Sequence, residues 1–112
     1  MRQYMATITN LVVDQGTTFT TTITLTTDDG SAKDLTDYTV TSQLRKSYYT
    51  STYTDFTTVK VNLTGEITIS LTAAQTSALK AGRYVYDVEI ASSSETVRVL
   101  EGIVTVTPEV TR

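Results

Sequence analysis

The stretch Thr17–Thr27, TTFTTTITLTT, places apolar residues at Phe19, Ile23 and Leu25 and threonine at the alternating positions between them. This period of two is typical of a β-strand with one buried and one exposed face. Threonine suits the exposed face, because it is β-branched and its hydroxyl group can hydrogen-bond to water. The stretch therefore predicts a half-buried strand, and threonine is the most frequent residue of the whole chain.

Alternating segments of the same kind recur along the chain, separated by turn-forming groups such as Asp14-Gln15-Gly16. About seven strands at intervals of about 8–12 residues predict an all-β fold, an antiparallel immunoglobulin-like β-sandwich. Gly102 is expected to mark a bulge or kink in the last strand. The predicted strands are 4–13 (an edge strand or arm), 17–27, 38–45, 56–63, 66–71, 83–91 and 96–106.

One segment departs from the alternation and predicts a short helix over about 72–81. Thr72 and Gln75 have the spacing of a capping box, in which each side chain accepts a hydrogen bond from the other residue's backbone N–H group. Gly82 is typical of the position just past a helix C-terminus. We expect this helix to cross one end of the sheets.

The length and net charge of the chain limit the number of domains and the classes of partner that it can have. The chain has 112 residues, so we expect a single β-sandwich domain over 1–112, with an N-terminal arm at 1–9 and a C-terminal tail at 108–112. A net charge of −3 without a basic cluster disfavours nucleic-acid binding. No apolar run is long enough to span a membrane, and we expect neither membrane association nor a secretory signal, with Met1 or Met5 as the start.

Histidine and cysteine are both absent. Their absence excludes disulfides and every metal site that needs Cys or His ligands. It also leaves the many serine and threonine hydroxyl groups without a histidine base. We therefore expect no enzymatic activity and no cofactor.

The acidic residues offer two groups to consider. Asp87 and Glu89 lie on the outward face of a predicted strand, where solvated polar side chains are ordinary. Four aspartates share one loop region, where turn formation is the main interpretation and a calcium site the alternative. Those four are Asp28, Asp29, Asp34 and Asp37.

A tyrosine-rich loop at 47–55 is the main candidate for a binding surface. Tyrosine is enriched at protein interfaces, because it offers a large contact area at low entropic cost. Two alternatives stay open: the rings could cover one end of the sandwich, or they could stack on a sugar. Chain termini are also free to pair with a neighbour. The predicted interface residues are Tyr4, Tyr48, Tyr49, Tyr53 and Arg112.

Six short motifs follow one another along nearly the whole chain, and in this order they resemble small structural proteins of tailed-bacteriophage virions. The likeness is to the immunoglobulin-like N-terminal domain of phage baseplate upper proteins. Asp37 stands where glycine is commoner in that family. The motifs are VDQGTTF (Val13–Phe19), DLTDYTV (Asp34–Val40), QLR (Gln43–Arg45), GEITISLT (Gly65–Thr72), GRYVYDV (Gly82–Val88) and LEGIVTV (Leu100–Val106).

The resemblance implies a non-enzymatic β-sandwich in a phage virion. A capsid decoration (cement) protein is the first expectation and a tail, neck or baseplate subunit or adaptor the second, since the chain lacks the long extension of a full baseplate upper protein. A host-glycan binding module is a further alternative. The expected partners are other virion proteins, with this chain homo-oligomeric or present in many copies. The expected location is the virion, after synthesis in the host bacterial cytoplasm.

Overall fold

The structure, a computed structural model, describes residues 7–27 and 29–110. These residues form nine strands and one short helix, arranged as two packed sheets. The prediction of an all-β sandwich with one short helix is therefore confirmed. In chain order the elements are β1 (Thr7–Ile8), β2 (Leu11–Asp14), β3 (Phe19–Thr24), β4 (Thr39–Arg45), β5 (Thr54–Asp55), β6 (Thr57–Val61), β7 (Glu66–Leu71), α1 (Ala73–Ser77), β8 (Gly82–Ala91) and β9 (Thr96–Thr107).

The large sheet has six strands in the order β1-β9-β8-β4-β5, with β2 also paired to β9. The small sheet has three antiparallel strands in the order β3-β7-β6. Because β2 pairs with β9, the consecutive strands β2 and β3 lie in different sheets. This division leaves β3 at an edge of the small sheet.

The pairing of β1 and β2 with β9 is parallel, whereas the sequence predicted antiparallel strands throughout. Thr7 lies opposite Leu100, and Leu11 lies opposite Val104. A parallel pair cannot be joined by a tight turn, and here almost the whole domain connects the two partners. No local sequence signal marks such a pair, which is why it was missed.

Inward-facing aliphatic side chains of both sheets form the core. Ile67 and Ile69 of β7 are fully buried, as are Val88 and Ile90 of β8. In each pair the two residues are two positions apart, so their side chains share the inner face of their sheet. Their burial is the main source of stability in a chain without disulfides.

Phe56 lies where the chain crosses from the large sheet to the small one, between β5 and β6. Its N–H group donates a 2.9 Å hydrogen bond to the carbonyl of Ser42 in β4. Its ring is 4% exposed and contacts Phe19 of β3 and Tyr86 of β8, with centroid distances of 6.2 and 6.1 Å. One side chain thus contacts both sheets.

The helix has the predicted capping box but is shorter than 72–81. Thr72 Oγ1 accepts a 3.1 Å hydrogen bond from the Gln75 N–H group, and Gln75 Oε1 accepts one of 2.8 Å from the Thr72 N–H group. Beyond the end of the helix, Leu79 is buried and its carbonyl accepts a 2.8 Å hydrogen bond from the Gln15 side chain. No helix among the described residues is long and apolar enough to cross a membrane.

The irregularity in β9 lies at Val99 and not at Gly102, so that prediction was wrong. The register between β8 and β9 shifts after Val88, which leaves Val99 without a partner on β8. Gly102 serves close packing instead, since a Cβ atom there would lie 2.1 Å from the carbonyl oxygen of Thr9. Glycine at this position lets the segment between β1 and β2 approach β9.

The turn after β2 joins three separated parts of the chain. The Gln15 side chain donates to the carbonyl of Leu79 at 2.8 Å and accepts from the N–H group of Glu109 at 3.0 Å. Gly16, with a φ of 83°, donates its N–H group to Thr76 Oγ1 at 3.0 Å. This turn therefore connects the N-terminal strands, the helix and the end of β9.

A second connection centres on Leu35, which is fully buried ahead of β4. Its N–H group donates to the carbonyl of Asn62 at 2.9 Å, and its own carbonyl accepts from Lys60 Nζ at 2.8 Å. The Asp34–Val40 segment is thereby attached to the small sheet at β6. The two sheets are joined here by hydrogen bonds as well as by packing.

The predicted N-terminal arm at 1–9 is described only for its last three residues, and these are attached rather than free. Thr9 donates its N–H group to the carbonyl of Glu101 at 2.9 Å and accepts a 2.6 Å bond from the Tyr86 hydroxyl. Of the two predicted alternatives, an edge strand or an arm, residues 7–9 therefore follow the edge strand, because Thr7 and Ile8 pair with β9.

Candidate functional site

The loop between β4 and β5 places three tyrosines at the surface. Tyr49 is 98% exposed, Tyr48 is 70% exposed and Tyr53 is 49% exposed. A side chain as open as Tyr49 buries almost no core surface, so the interpretation that this ring covers the end of the sandwich does not hold. The loop is closed by a 2.9 Å hydrogen bond between the hydroxyl groups of Ser47 and Thr50.

Arg45, the last residue of β4, organises the loop. One guanidinium nitrogen donates to the carbonyl of Thr50 at 2.7 Å, and another donates to Gln43 Oε1 at 3.0 Å. The guanidinium also lies over the ring of Tyr53, 4.8 Å from its centroid, in a cation–π contact. Arg45 therefore holds Tyr53 against the sheet, while Tyr48 and Tyr49 project outward.

The two terminal residues of the predicted interface are Tyr4 and Arg112, and both lie outside the described residues. Near the C-terminus, β9 ends at Thr107, immediately before Pro108 and one residue past the predicted end of the last strand. Of the described tail residues, Val110 is 92% exposed, whereas Glu109 is partly buried and donates its N–H group to Gln15 Oε1 at 3.0 Å. The structure thus describes three of the five predicted interface residues, and all three lie in one loop.

A groove of about 380 Å³ runs across the outer face of the large sheet, and Tyr48 stands at its border. It was not predicted from the sequence, because only the register of β4, β8 and β9 brings its walls together. The only feature of the sequence that could have indicated a groove was the run of polar residues at outward positions of these strands. The residues that line it include Thr41, Gln43, Arg45, Tyr48, Asp87, Glu89, Arg98 and Glu101.

Arg98 lies among three carboxylates in this groove. Its guanidinium is 3.4 Å from Asp87, 4.0 Å from Glu89 and 3.7 Å from Glu101. With Arg45 at the other end, the groove holds two guanidinium groups and three carboxylates, which leaves one net negative charge. The pairs are partly exposed, so they contribute little to stability and leave the groove polar and hydrated.

Burial at the floor of the groove raises the pKa of the Asp87 carboxyl group above its ordinary value of 3.8. The nearby charge of Glu89 raises this pKa further, while Arg98 lowers it in part. A raised pKa means that the folded state holds the proton more tightly than the unfolded state does. The contribution of Asp87 to stability is therefore present below pH 3.8 and is lost as the pH rises through the folded-state pKa.

Replacing Asp87 with asparagine is accordingly expected to raise stability slightly at neutral pH, by less than about 1 kcal/mol because water screens the groove. Arg98 keeps two other carboxylates within reach in this variant. Urea denaturation of both proteins at pH 7 and at pH 3 measures the effect, which should vanish in acid. Lower stability of the variant at pH 7 would mean that attraction to Arg98 outweighs burial.

The groove is suited to binding through hydrogen bonds and charge. Carboxylates can accept from hydroxyl or ammonium groups, the Gln43 amide can donate and accept, and the Tyr48 ring supplies an apolar face. No group of three or more acidic side chains among residues 7–27 and 29–110 is arranged to hold a metal ion. The arrangement can recognise a polar ligand or a charged protein surface.

The aspartate-rich loops show turn chemistry at the described positions. Asp29 accepts hydrogen bonds from the Thr27 hydroxyl and the Ser31 N–H group, and these lower its pKa to about 2. Asp34 likewise accepts from the hydroxyl and N–H groups of Thr36, which lowers its pKa. Asp28 lies outside the described residues. Turn formation thus accounts for Asp29 and Asp34.

No family model and no curated protein matches the chain. Among solved structures, the fold is similar to the crystal structure of Listeria monocytogenes InlP, with a TM-score of 0.50 and 18% sequence identity. The match covers 91% of this chain and 28% of that one. At this identity the likeness concerns the fold alone: the chain is similar to about a quarter of a larger protein.

Proposed function

We propose that this chain is a non-enzymatic structural component of a bacteriophage virion. Its first assignment is a capsid decoration (cement) protein, and the alternative is a tail, neck or baseplate subunit or adaptor. The observation that carries the proposal is that three of the six virion-like motifs contain residues that join separate parts of the fold, while the other three lie along β4, β7 and β8.

Three of those motifs contain residues with specific joining contacts. Gln15 and Gly16 of the first motif bind the helix region and Glu109. Leu35 of the second attaches its segment to β6. Gly102 of the last permits close approach to Thr9. The fold depends on these positions. The resemblance to phage virion proteins therefore supports a common domain fold, and not merely six chance matches of short motifs.

The outer surface also suits a subunit that lies against other proteins. The outward residues of β3 are threonines, namely Thr20, Thr22 and Thr24, and all three are exposed. A hydroxyl surface can be covered by a partner without burying charge. Exposed tyrosines on the loop between β4 and β5 add contact area of the kind that is enriched in interfaces.

Quantitative mass spectrometry of purified particles tests this proposal and separates the two locations. A decoration protein is expected at a copy number close to that of the major capsid protein. A tail, neck or baseplate subunit is expected at the much lower copy number of the tail proteins, in line with closed rotational symmetry. Absence of the chain from purified particles would reject the virion assignment.

The tyrosine loop is the expected contact with the particle. Replacing Tyr48 and Tyr49 together with alanine should reduce binding to particles by about thirtyfold, the effect of losing one interface hot spot. The change should leave the fold intact, since both rings are exposed. Binding to particles that lack the protein measures the effect, and Ser51→Ala in the same loop is the matched control. Equal binding of the double variant and the control would exclude the loop from the contact.

A second candidate, a host-glycan binding module, is favoured by the groove beside Tyr48. Carboxylates, an amide and an aromatic ring around one groove can bind the hydroxyl groups and the apolar face of a sugar. Tyr48→Ala and Gln43→Ala, at two residues that line the groove, should then abolish binding of the purified protein to host cells. Cell binding that is unchanged by both substitutions would eliminate this candidate.

A further inference from the structure

At the edge of β3 that faces away from β7, the backbone N–H and C=O groups have no strand partner among the described residues. Among the described residues, β3 has one strand neighbour, β7. Leu25, just after β3, donates its N–H group to the carbonyl of Gly65 at 2.9 Å, so the odd-numbered residues direct their backbone groups toward β7. The N–H and C=O groups of Thr20, Thr22 and Thr24 therefore point to the open edge.

This edge lacks the features that usually protect an edge strand. Charged side chains, proline and bulges normally keep such edges from pairing with another chain. The segment Thr17–Thr27 contains no charged residue, no proline and no glycine, and β3 pairs with β7 without a register shift. The other edge strands differ: β6 carries Lys60, β2 ends at Asp14, and β1 and β5 are only two residues long.

The inner face of β3 is also incompletely covered. Phe19 and Ile23 pack against the core but remain partly exposed, as does Leu25 just beyond the strand. Ile67 and Ile69 on the adjacent β7 are fully buried. A further strand beside β3 would cover these side chains and satisfy the open backbone groups at the same time.

We propose that β3 pairs antiparallel with β3 of a second copy of this chain, across a two-fold axis at Thr22, so that the two small sheets become one. In this register Thr22 lies opposite Thr22 of the other copy, and Thr20 lies opposite its Thr24. Across a two-fold axis a strand meets its own sequence, so any charge on its central residue would face an identical charge. The neutral sequence of β3 satisfies that condition.

On the outer face of the small sheet, threonine hydroxyl groups already form a hydrogen bond between neighbouring strands, and the dimer would add further threonine pairs of this kind. Within one copy, the hydroxyl groups of Thr22 and Thr68 form a 2.8 Å hydrogen bond between β3 and β7. Cross-strand threonine pairs of this kind stabilise a sheet. The second copy extends the same row of hydroxyl groups across the axis. This self-association does not depend on the virion assignment, because it rests on the edge itself.

Cysteine crosslinking tests the register directly, because the chain contains no cysteine of its own. In the proposed dimer, the Cα atoms of the two Thr22 residues are about 5.5 Å apart, within the range for a disulfide. The two Thr20 residues are about 14 Å apart, which is too far. Under mild oxidation Thr22→Cys is therefore expected to form a disulfide-linked dimer, while Thr20→Cys, on the same face of the same strand, is expected to form no disulfide.

Analytical ultracentrifugation of the unmodified chain and of two lysine variants provides a second measurement. Thr22→Lys should raise the dimer dissociation constant at least about tenfold, because two like charges face each other across the axis. Val59→Lys places the same charge on an exposed position of β6, the opposite edge strand, and should not change it. Circular dichroism confirms that each variant is folded. A monomeric unmodified chain, or crosslinking of neither cysteine variant, would overturn the proposal.

Discussion

Replacing Phe56 with alanine is expected to lower the free energy of unfolding by about 3–5 kcal/mol, the usual cost of removing a buried phenylalanine. The ring fills the space where the two sheets meet, in contact with Phe19 and Tyr86. Its neighbours belong to different sheets, so collapse around the cavity would require both sheets to move. The loss is a large part of the stability of a domain of this size, which is about 5–15 kcal/mol.

Chemical denaturation measures this effect, with Phe56→Leu as the matched control. Leucine keeps most of the apolar volume and should cost clearly less than alanine. The Phe56 N–H bond to Ser42 is a backbone contact that both variants keep. A loss below about 1 kcal/mol for Phe56→Ala would show that the ring does not join the sheets as described.

Replacing Gly102 with alanine is expected to cost about 3 kcal/mol, the upper end of the range for overpacked sites. The added Cβ atom would lie 2.1 Å from the Thr9 carbonyl oxygen and 2.8 Å from its carbonyl carbon. Both are backbone atoms, so relief requires a shift of the segment between β1 and β2. The N-terminal strands should loosen from β9 while the rest of the sandwich stays folded.

Hydrogen exchange locates this effect, because the Thr9 amide donates to Glu101 and should lose protection in the variant. Gly30→Ala is the control, since nothing lies within 4 Å of a Cβ atom at that position. Its φ of 86° still makes alanine unfavourable, at a cost of about 1 kcal/mol. Equal costs for the two variants would contradict the close approach at Gly102.

Strands were predictable from the sequence where one face of the strand is apolar and the other is polar. The bounds of β7, Glu66–Leu71, are those that the alternation predicts, and β8 differs by one residue at its start. The capping box of the helix was likewise readable, since Thr72 and Gln75 act within four residues of each other. Local chemistry alone decides these features.

Features that depend on distant partners were not predictable. Leu79 was predicted to lie in the helix, but its carbonyl instead accepts from Gln15, which is far away in the sequence. The role of Gly102 depends on Thr9, and the bulge at Val99 depends on the register with β8. The groove arises in the same way, since Arg98 meets Asp87 only through strand pairing. The tyrosine loop was recognised from composition, whereas its neighbour, the groove, requires three aligned strands.

Imaging of purified particles by cryo-electron microscopy tests the virion assignment most directly. The particles would come from phage-producing cells that encode this chain. We expect density of the size and shape of this sandwich on the particle surface, repeated by the particle's symmetry, with the tyrosine loop at a contact. Particles without such density, and without peptides of the chain by mass spectrometry, would contradict the assignment.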